Sequence, residues 1–587
     1  MADIVPAEKA ESSANETVAQ HEHVSAPVSV VVPEEDVKIF NAKTAIAFAA
    51  LCGQFSSYVM TLLIPSTCLA YINADLGPDP NYTWITVSWQ LGAAVVVSVG
   101  GRLSDIFGRR YFMLTGSMLG IVGCVVGATG KSINQMIGSG IIFGIASGFQ
   151  EMSYACIQEI LPNKHRMLGV GIFDSTLLLS YVSPLIAYTF IDHYSITWRA
   201  AYWYMFAYHS VMGLLLLFCY FPPTFERKHA DDGKTRRQLL AELDYVGLLL
   251  FATASTLMLL GINFGGGHKY PWTSARVLAP ILVGFACAVA LGFWETMPFL
   301  KYPLLPPKLF RKTREFTMVI VLVFVGGMLY YSMNVLWPQQ SNIFFVPPGK
   351  LILRGLYATI FSFGSFIGAL IMIFFCSRVG REKWQMFGFM VLQTAFIGAM
   401  ASVGYNDTAR AIVLVLLTSS FVTPPQLVAF TMISLGLDDQ RDIGVAAGLI
   451  GTFRLLGGAT ATAIYSAILN NKFASVIGPN VDAVAEQFGL PSSSWAALLT
   501  AAKANTAKAY AAVPGITDAL QAATVKAYKQ SYVESFRLVY LVAIAFGAVA
   551  VTCALFTRNT DSRSKNASRA VYLMTEELEP ESKQVEA

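Results

Sequence analysis

The sequence predicts an all-α polytopic membrane protein with 14 transmembrane helices. Three observations carry that reading. Of 587 residues, 55% are hydrophobic and 13% are charged, about half the charged share of an average soluble domain. Apolar runs recur at the length of about 20 residues that a bilayer requires. Between them the basic residues collect in alternate loops, which orients the chain.

The runs lie near 44–71, 82–102, 110–129, 132–156, 167–191, 198–221, 245–265, 276–297, 316–340, 351–376, 384–405, 409–435, 444–469 and 535–557. With the N-terminus in the cytosol, the internal loops hold nineteen basic residues, among them Arg227, Lys228, Lys234 and Arg441. The short external loops hold seven, including Lys269. An even helix count keeps both termini cytosolic. One helix more or fewer would turn the later basic loops outward, so charge and count support each other.

Two connections are long. The internal one, 222–244, places Leu239, Leu240 and Leu243 on one helical face that can lie on the membrane surface. The external one, 470–534, is rich in Ala, Ser and Lys and predicts short amphipathic helices. Sequons stand outside at Asn81 and Asn406, each close against a span, and inside at Asn15 and Asn566. The acidic N-terminus lacks a basic start followed by an apolar core, so no cleaved signal peptide is expected.

Several functions are disfavoured. The net charge of +4 is too small to suggest nucleic acid. Cys52, Cys68, Cys124, Cys156 and Cys219 sit inside apolar runs with neither metal spacing nor a disulfide pattern. No phosphate loop, nucleophile–base pair or metal cluster is visible. The expectation is no enzyme, no cofactor, no metal and no direct use of ATP.

Charge returns at "GRLSDIFGRR", Gly101 to Arg110, in a tight hairpin between the second and third spans. Gly101 permits close approach of another helix, and Gly108 can take the positive φ of a turn. Asp105 can accept from free amides or pair with a cation, and Arg109 and Arg110 lie at headgroup level. The spacing G-x-x-x-D-x-x-G-R-R resembles the signature loop of the major facilitator superfamily. In that family the loop is a cytosolic latch between two six-helix halves. A second copy, "SRVGREKW", keeps Gly380 and Arg381 but has Ser377 in place of the acid. Fourteen spans resemble the drug:proton antiporter branch, in which two extra helices join the halves. The expected divisions are a disordered tail 1–43, a half at 44–221, a loop 222–244, linking helices 245–297, a half at 298–557 and a tail 558–587.

A narrower likeness runs over about 45–560. It rests on "IPSTCLAYINADLGPDPNYTWITVSWQLGAA", "EILPNKHR", "CYFPPTFERKH", "LDYVGLLLF", "GGGHKYPWTSARV" and "RDIGVAAGLIGTFRLLGG". In order and spacing these resemble the fungal trichothecene efflux pump family. The resemblance implies a fungal source and export of a small secondary metabolite, with protons and the lipid bilayer as the other partners. It implies a monomer in the plasma membrane, the vacuolar membrane being the alternative.

Charges at membrane depth cost about 2.5–3.5 kcal/mol each on insertion scales and point to function. Glu151, Asp174 and Arg454 are the candidates for coupling protons or cargo, and His209 reads as packing. Glu159 can pair with Arg109, Arg110 or Arg166 and lock the latch. Two departures from the family pattern stand out. Gly140 occupies the place of a fourth-span arginine, and Ser183 and Tyr188 replace small glycines around Pro184. The resemblance assigns the cavity to Gln54, Tyr58, Gln150, Tyr330, Tyr331, Asn334, Trp337 and Gln426, a lining for a bulky, mostly apolar ligand. Proton-driven efflux is the leading reading. Proton-coupled uptake of a siderophore–iron complex and a non-transporting receptor or scaffold are the alternatives.

Overall fold

The computed structural model describes residues 42–560, apart from Pro78, Pro80, 224–234, 267–269, Pro348 and 438–441. The tails, Arg227, Lys228, Lys234, Lys269, Arg441 and the sequons at Asn15 and Asn566 lie outside the described residues.

Each expected span falls on helix. The first half contains α1 (Ala42–Asp75), α2 (Trp84–Phe107), α3 (Arg109–Ala128) and α4 (Ile133–Gln150, continued as Ser153–Ile160). It is completed by α5 (Arg166–Ser175, Leu178–Tyr181 and Ser183–His193 in series) and α6 (Trp198–Cys219). The linking pair is α7 (Tyr245–Gly266) and α8 (Ala275–Trp294). The second half contains α9 (Met318–Phe344), α10 (Leu351–Ile371), α11 (Glu382–Met400), α12 (Thr408–Gly436), α13 (Ile443–Gln487) and α14 (Asp518–Phe556). Among the described residues, 12 helices are long and apolar enough to cross a membrane. The Ile133–Gln150 and Glu382–Met400 stretches fall short of that measure, so a count of 14 is compatible with the structure.

Burial sorts the helices. In its most apolar window α1 is 89% buried, whereas α6 and α8 are 22% and 17% buried. A central helix meets protein on all sides, and a peripheral one turns large apolar side chains such as Phe218, Leu282 and Phe293 outward. The linking pair packs through Leu259 against Leu91 and Ala459, and through Phe251 and Leu291 against Leu304.

Two expectations are corrected. The segment 470–534 is mostly a continuation of α13 and α14, which run for 45 and 39 residues. At 1.5 Å per residue these are roughly 68 and 58 Å long, about twice the hydrocarbon thickness. With Trp495–Ala504 and Ala507–Ala511 they enclose a separate apolar core of Ile477, Val481, Leu498, Tyr510 and Val513. Alanine favours helix, and Ile477, Val481 and Ala485 repeat every fourth residue, so the helix has a face to bury beyond the membrane. Among its described residues the internal connection forms a short helix, Arg236–Ala241, opened by a Thr235/Gln238 capping box. Leu239 is buried and Leu243 bridges to Tyr302, so this segment docks on protein.

Candidate functional site

At the signature loop, α2 and α13 touch backbone to backbone. A Cβ on Gly101 would lie 2.3 Å from the Gly444 carbonyl oxygen. Gly108 turns the chain from α2 into α3 with φ +90°. Arg109 is buried, with Nη2 3.0 Å from Asp105 and paired also with Glu159, while Nη1 donates to Ser104 Oγ at 2.9 Å. Its guanidinium covers Gly444, where an added Cβ would lie 2.6 Å from Nη2. Arg110 turns away, donating to the Leu217 carbonyl and stacking on Phe221 at 4.3 Å. Arg166 donates to the Ser434 carbonyl of α12 at 3.3 Å, a bond across the halves.

The second loop is held differently. Gly380 and Arg381 take φ +65° and +57°, and Gln385 Nε2 donates to the Cys376 and Gly380 carbonyls at 3.0 and 2.7 Å. Ser377 bonds back to the Ile373 carbonyl of its own helical segment. An amide thus closes the loop from which the acid is missing.

The membrane-depth charges meet at the centre. Arg454 Nη2 lies 3.0 Å from Glu151 Oε1, and both side chains are buried. Arg454 also lies over the rings of Phe430 and Tyr331, at 5.6 and 5.8 Å. The acids sit at helix breaks. Glu151 occupies the turn that interrupts α4, where Tyr154 N–H bonds to the Glu151 carbonyl. Asp174 lies one residue before the first break of α5, and Pro184 accompanies the next, because proline cannot donate within a helix. Asp174 accepts from the Tyr181 hydroxyl at 3.4 Å. Arg454 is set by a close crossing of α9 and α13, since a Cβ on Gly327 would lie 2.0 Å from the Arg454 carbonyl oxygen.

Around these charges is a cavity of about 30 Å³, lined by Tyr58, Asp174, Tyr181, Tyr330, Tyr331, Thr423, Gln426 and Arg454 with apolar residues between them. Its volume is that of one water in the liquid, whereas sites for drug-sized ligands span about 300–1,000 Å³.

Four of the expected cavity residues are absent from this lining. Gln54 donates to the Met212 carbonyl at 2.9 Å and accepts from Ser117 at 2.7 Å. Gln150 lies beside Gln54 and His209 inside the first half. Trp337 donates to the Tyr357 carbonyl at 2.7 Å, and Asn334 to the Tyr330 carbonyl at 2.9 Å. Tyr181 and Thr423 were not anticipated in the lining. For Tyr181 the available signal was its place between Asp174 and Pro184 in a broken helix. The glycine at position 140 also has a reason here, as a Cβ would lie 2.4 Å from the Ile85 carbonyl oxygen. No larger side chain fits without parting α2 from α4.

Two bundles of membrane helices closing on a small polar centre define a transporter of the major facilitator fold. The solved proton:xylose symporter XylE shares that fold with 15% identity, a TM-score of 0.51, and coverage of 90% of this chain and 98% of its own. Residues 30–572 match the model of the fungal trichothecene efflux pump family, and the chain belongs to that family. It is 28% identical to the trichothecene efflux pump TRI12 of Fusarium sporotrichioides over 88% of this chain and 86% of that one. It is also 28% identical to the MFS-type transporter prx5 of Penicillium rubens over 91% and 94% of the two chains. The protein is a multi-pass membrane transporter and not an enzyme.

Proposed function

We propose that this transporter exports a small, mostly apolar, oxygenated metabolite in exchange for protons. The carrying observation is the ion pair between Glu151 and Arg454, one partner in each half, beside a second buried acid, Asp174. Two carboxylates face one guanidinium, so the centre is neutral when one carboxylate holds a proton. Separating the halves strains the ion pair, and protonating an acid frees Arg454. The names of relatives such as TRI12 and the efflux transporter aclA support the outward direction. The reading places the loops with Arg109 and Arg381 in the cytosol, the protein in the plasma membrane as a monomer, and the halves at 44–221 and 298–557.

The test is accumulation of labelled candidate compounds in a pump-deficient yeast expressing the chain. Lower accumulation, abolished by an uncoupler, is expected. Higher accumulation would overturn export in favour of uptake, and no change with any compound would favour a scaffold. Glu151→Gln should abolish proton-coupled flux and leave counterflow exchange. Normal coupled flux in that variant would remove Glu151 from the mechanism.

A further inference from the structure

The two halves also meet through phenols. Tyr58 of α1 and Tyr331 of α9 share a hydrogen bond, hydroxyl to hydroxyl, at 3.0 Å. The Tyr58 hydroxyl also faces Glu151, and that of Tyr331 faces Arg454. The phenol pair Tyr58–Tyr331 and the ion pair Glu151–Arg454 therefore lie close together, each with one member from each half. A second phenol contact lies alongside, where Tyr181 of α5, bonded to Asp174, faces Tyr330 of α9. All four phenols line the central cavity.

The geometry has a physical consequence. A buried hydroxyl that loses its partner carries a desolvation penalty of about 1–3 kcal/mol. When the halves separate, the Tyr58–Tyr331 bond breaks and Tyr330 parts from Tyr181, which keeps Asp174, leaving hydroxyls on both walls. Water can satisfy them, and so can oxygen atoms on a cargo that fills the opened space. The surrounding Phe55, Val59, Leu62 and Leu427 are apolar, so the skeleton carrying those oxygens is apolar too. In the closed arrangement Arg454 is paired with Glu151.

We propose that Tyr58–Tyr331 and Tyr181–Tyr330 are the specificity-determining contacts, and that cargo is recognised when its uncharged oxygen atoms replace these cross-half phenol contacts. The inference rests on the export reading and assigns its selectivity to four named hydroxyls. A hydrocarbon of equal size would fill the space without satisfying the phenols. The pairing of one phenol from each half also makes recognition depend on the distance between the halves, so cargo is sensed at the moving boundary.

The test uses the full chain in liposomes with two probes, a radiolabelled trichothecene and the oxygen-free dye N-phenylnaphthylamine. Tyr58→Phe and Tyr331→Phe each remove one oxygen and keep the ring. Each should raise the KM for the trichothecene about three- to tenfold, the worth of one net hydrogen bond. The KM for the dye should stay within about twofold. Because the two phenols act as a pair, the double variant should lose less than the product of the single losses. Tyr181→Phe and Tyr330→Phe should repeat the pattern. An equal loss for both probes would overturn the proposal and leave these tyrosines as packing residues, as would fully multiplicative losses or an unchanged ratio of the two KM values. If the wild-type chain moves neither probe, the export reading falls and this inference falls with it. If both move with unaltered selectivity in every variant, only the inference falls. Melting temperatures of the purified variants accompany the assay, and a KM change that appears only in variants with a lowered Tm also counts against the proposal.

Discussion

Replacing Gly101 by alanine should hold the latch end of the transporter open. The added Cβ would stand 2.3 Å from the Gly444 carbonyl oxygen, 2.6 Å from its carbon and 2.8 Å from Val445 N, all backbone atoms that no rotamer change can move aside. Tight but real Cβ contacts lie near 3.4 Å, so α2 and α13 must part by about 1 Å to admit the methyl group. Overpacking of this kind costs about 1–3 kcal/mol. Here it falls on the closed arrangement alone, because the two glycines belong to opposite halves. The closed population should drop by about 5- to 150-fold relative to the open one. The reporter is a cysteine at Val97, which is fully buried against Gly451 of the other half. In Val97→Cys membranes, a maleimide that cannot cross the bilayer should label slowly from the latch side, and adding Gly101→Ala should accelerate labelling. Gly138→Ala is the control, since nothing lies within 4 Å of a Cβ there. Equal labelling with and without Gly101→Ala, at normal transport rates, would show that this glycine seam is not the moving boundary.

Three further outcomes are expected. Arg454→Gln strands Glu151 as a buried charge and should lower stability by about 3–5 kcal/mol. The Glu151→Gln/Arg454→Gln double variant should recover most of the Tm without recovering coupled flux, and recovered flux would refute the coupling role. Asp105→Asn removes the charge facing Arg109 and should slow transport while membrane insertion, read by protease accessibility of the loops, stays normal; unaltered transport would refute the latch. Leu498→Ala, at a fully buried position of the lobe beyond the membrane, should destabilise that lobe by about 2–5 kcal/mol. Faster limited proteolysis within 488–517, with cargo KM changed by less than about twofold, is the expected result, and a collapse of transport would show that the lobe belongs to the transport machinery.

The membrane helices were legible because a bilayer imposes one length and one polarity on every span. The lobe was not, because a ruler made for membranes reads Lys472, Asn480 and Asp482 as the end of a helix. Alanine-rich helix continues through them and buries Ile477, Val481 and Ala485 in a second core. At the centre, Glu151, Asp174 and Arg454 stood out because ionised groups are rare in such runs. Gln54 and Gln150, absent from the central lining, gave no such signal. An amide can satisfy itself within one half, through Ser117 and the Met212 carbonyl, and a helix apolar on all sides gives no period to show which way an amide faces.

The two halves carry matching short patterns that differ in charge. Gly171-Ile172-Phe173-Asp174 in α5 and Gly451-Thr452-Phe453-Arg454 in α13 share the pattern G-x-F, and then carry opposite charges. Asp105 of the first loop likewise corresponds to Ser377 of the second. A strict repeat would bring like charges to the same cavity, where burial makes repulsion costly. Divergence instead gives one guanidinium to two carboxylates, Glu151 and Asp174, both in the first half. The ion pair that joins Arg454 of the second half to Glu151 of the first therefore has a second carboxylate, Asp174, beside it. At the latch, Asp105, Arg109 and Glu159 all belong to the first half, yet their cluster closes on the bare backbone of Gly444 in the second. There Gly444 offers the cluster no side chain, while Asp442, two residues earlier, acts on Arg102 of the same loop, so both close fit and charge bear on closure at that end.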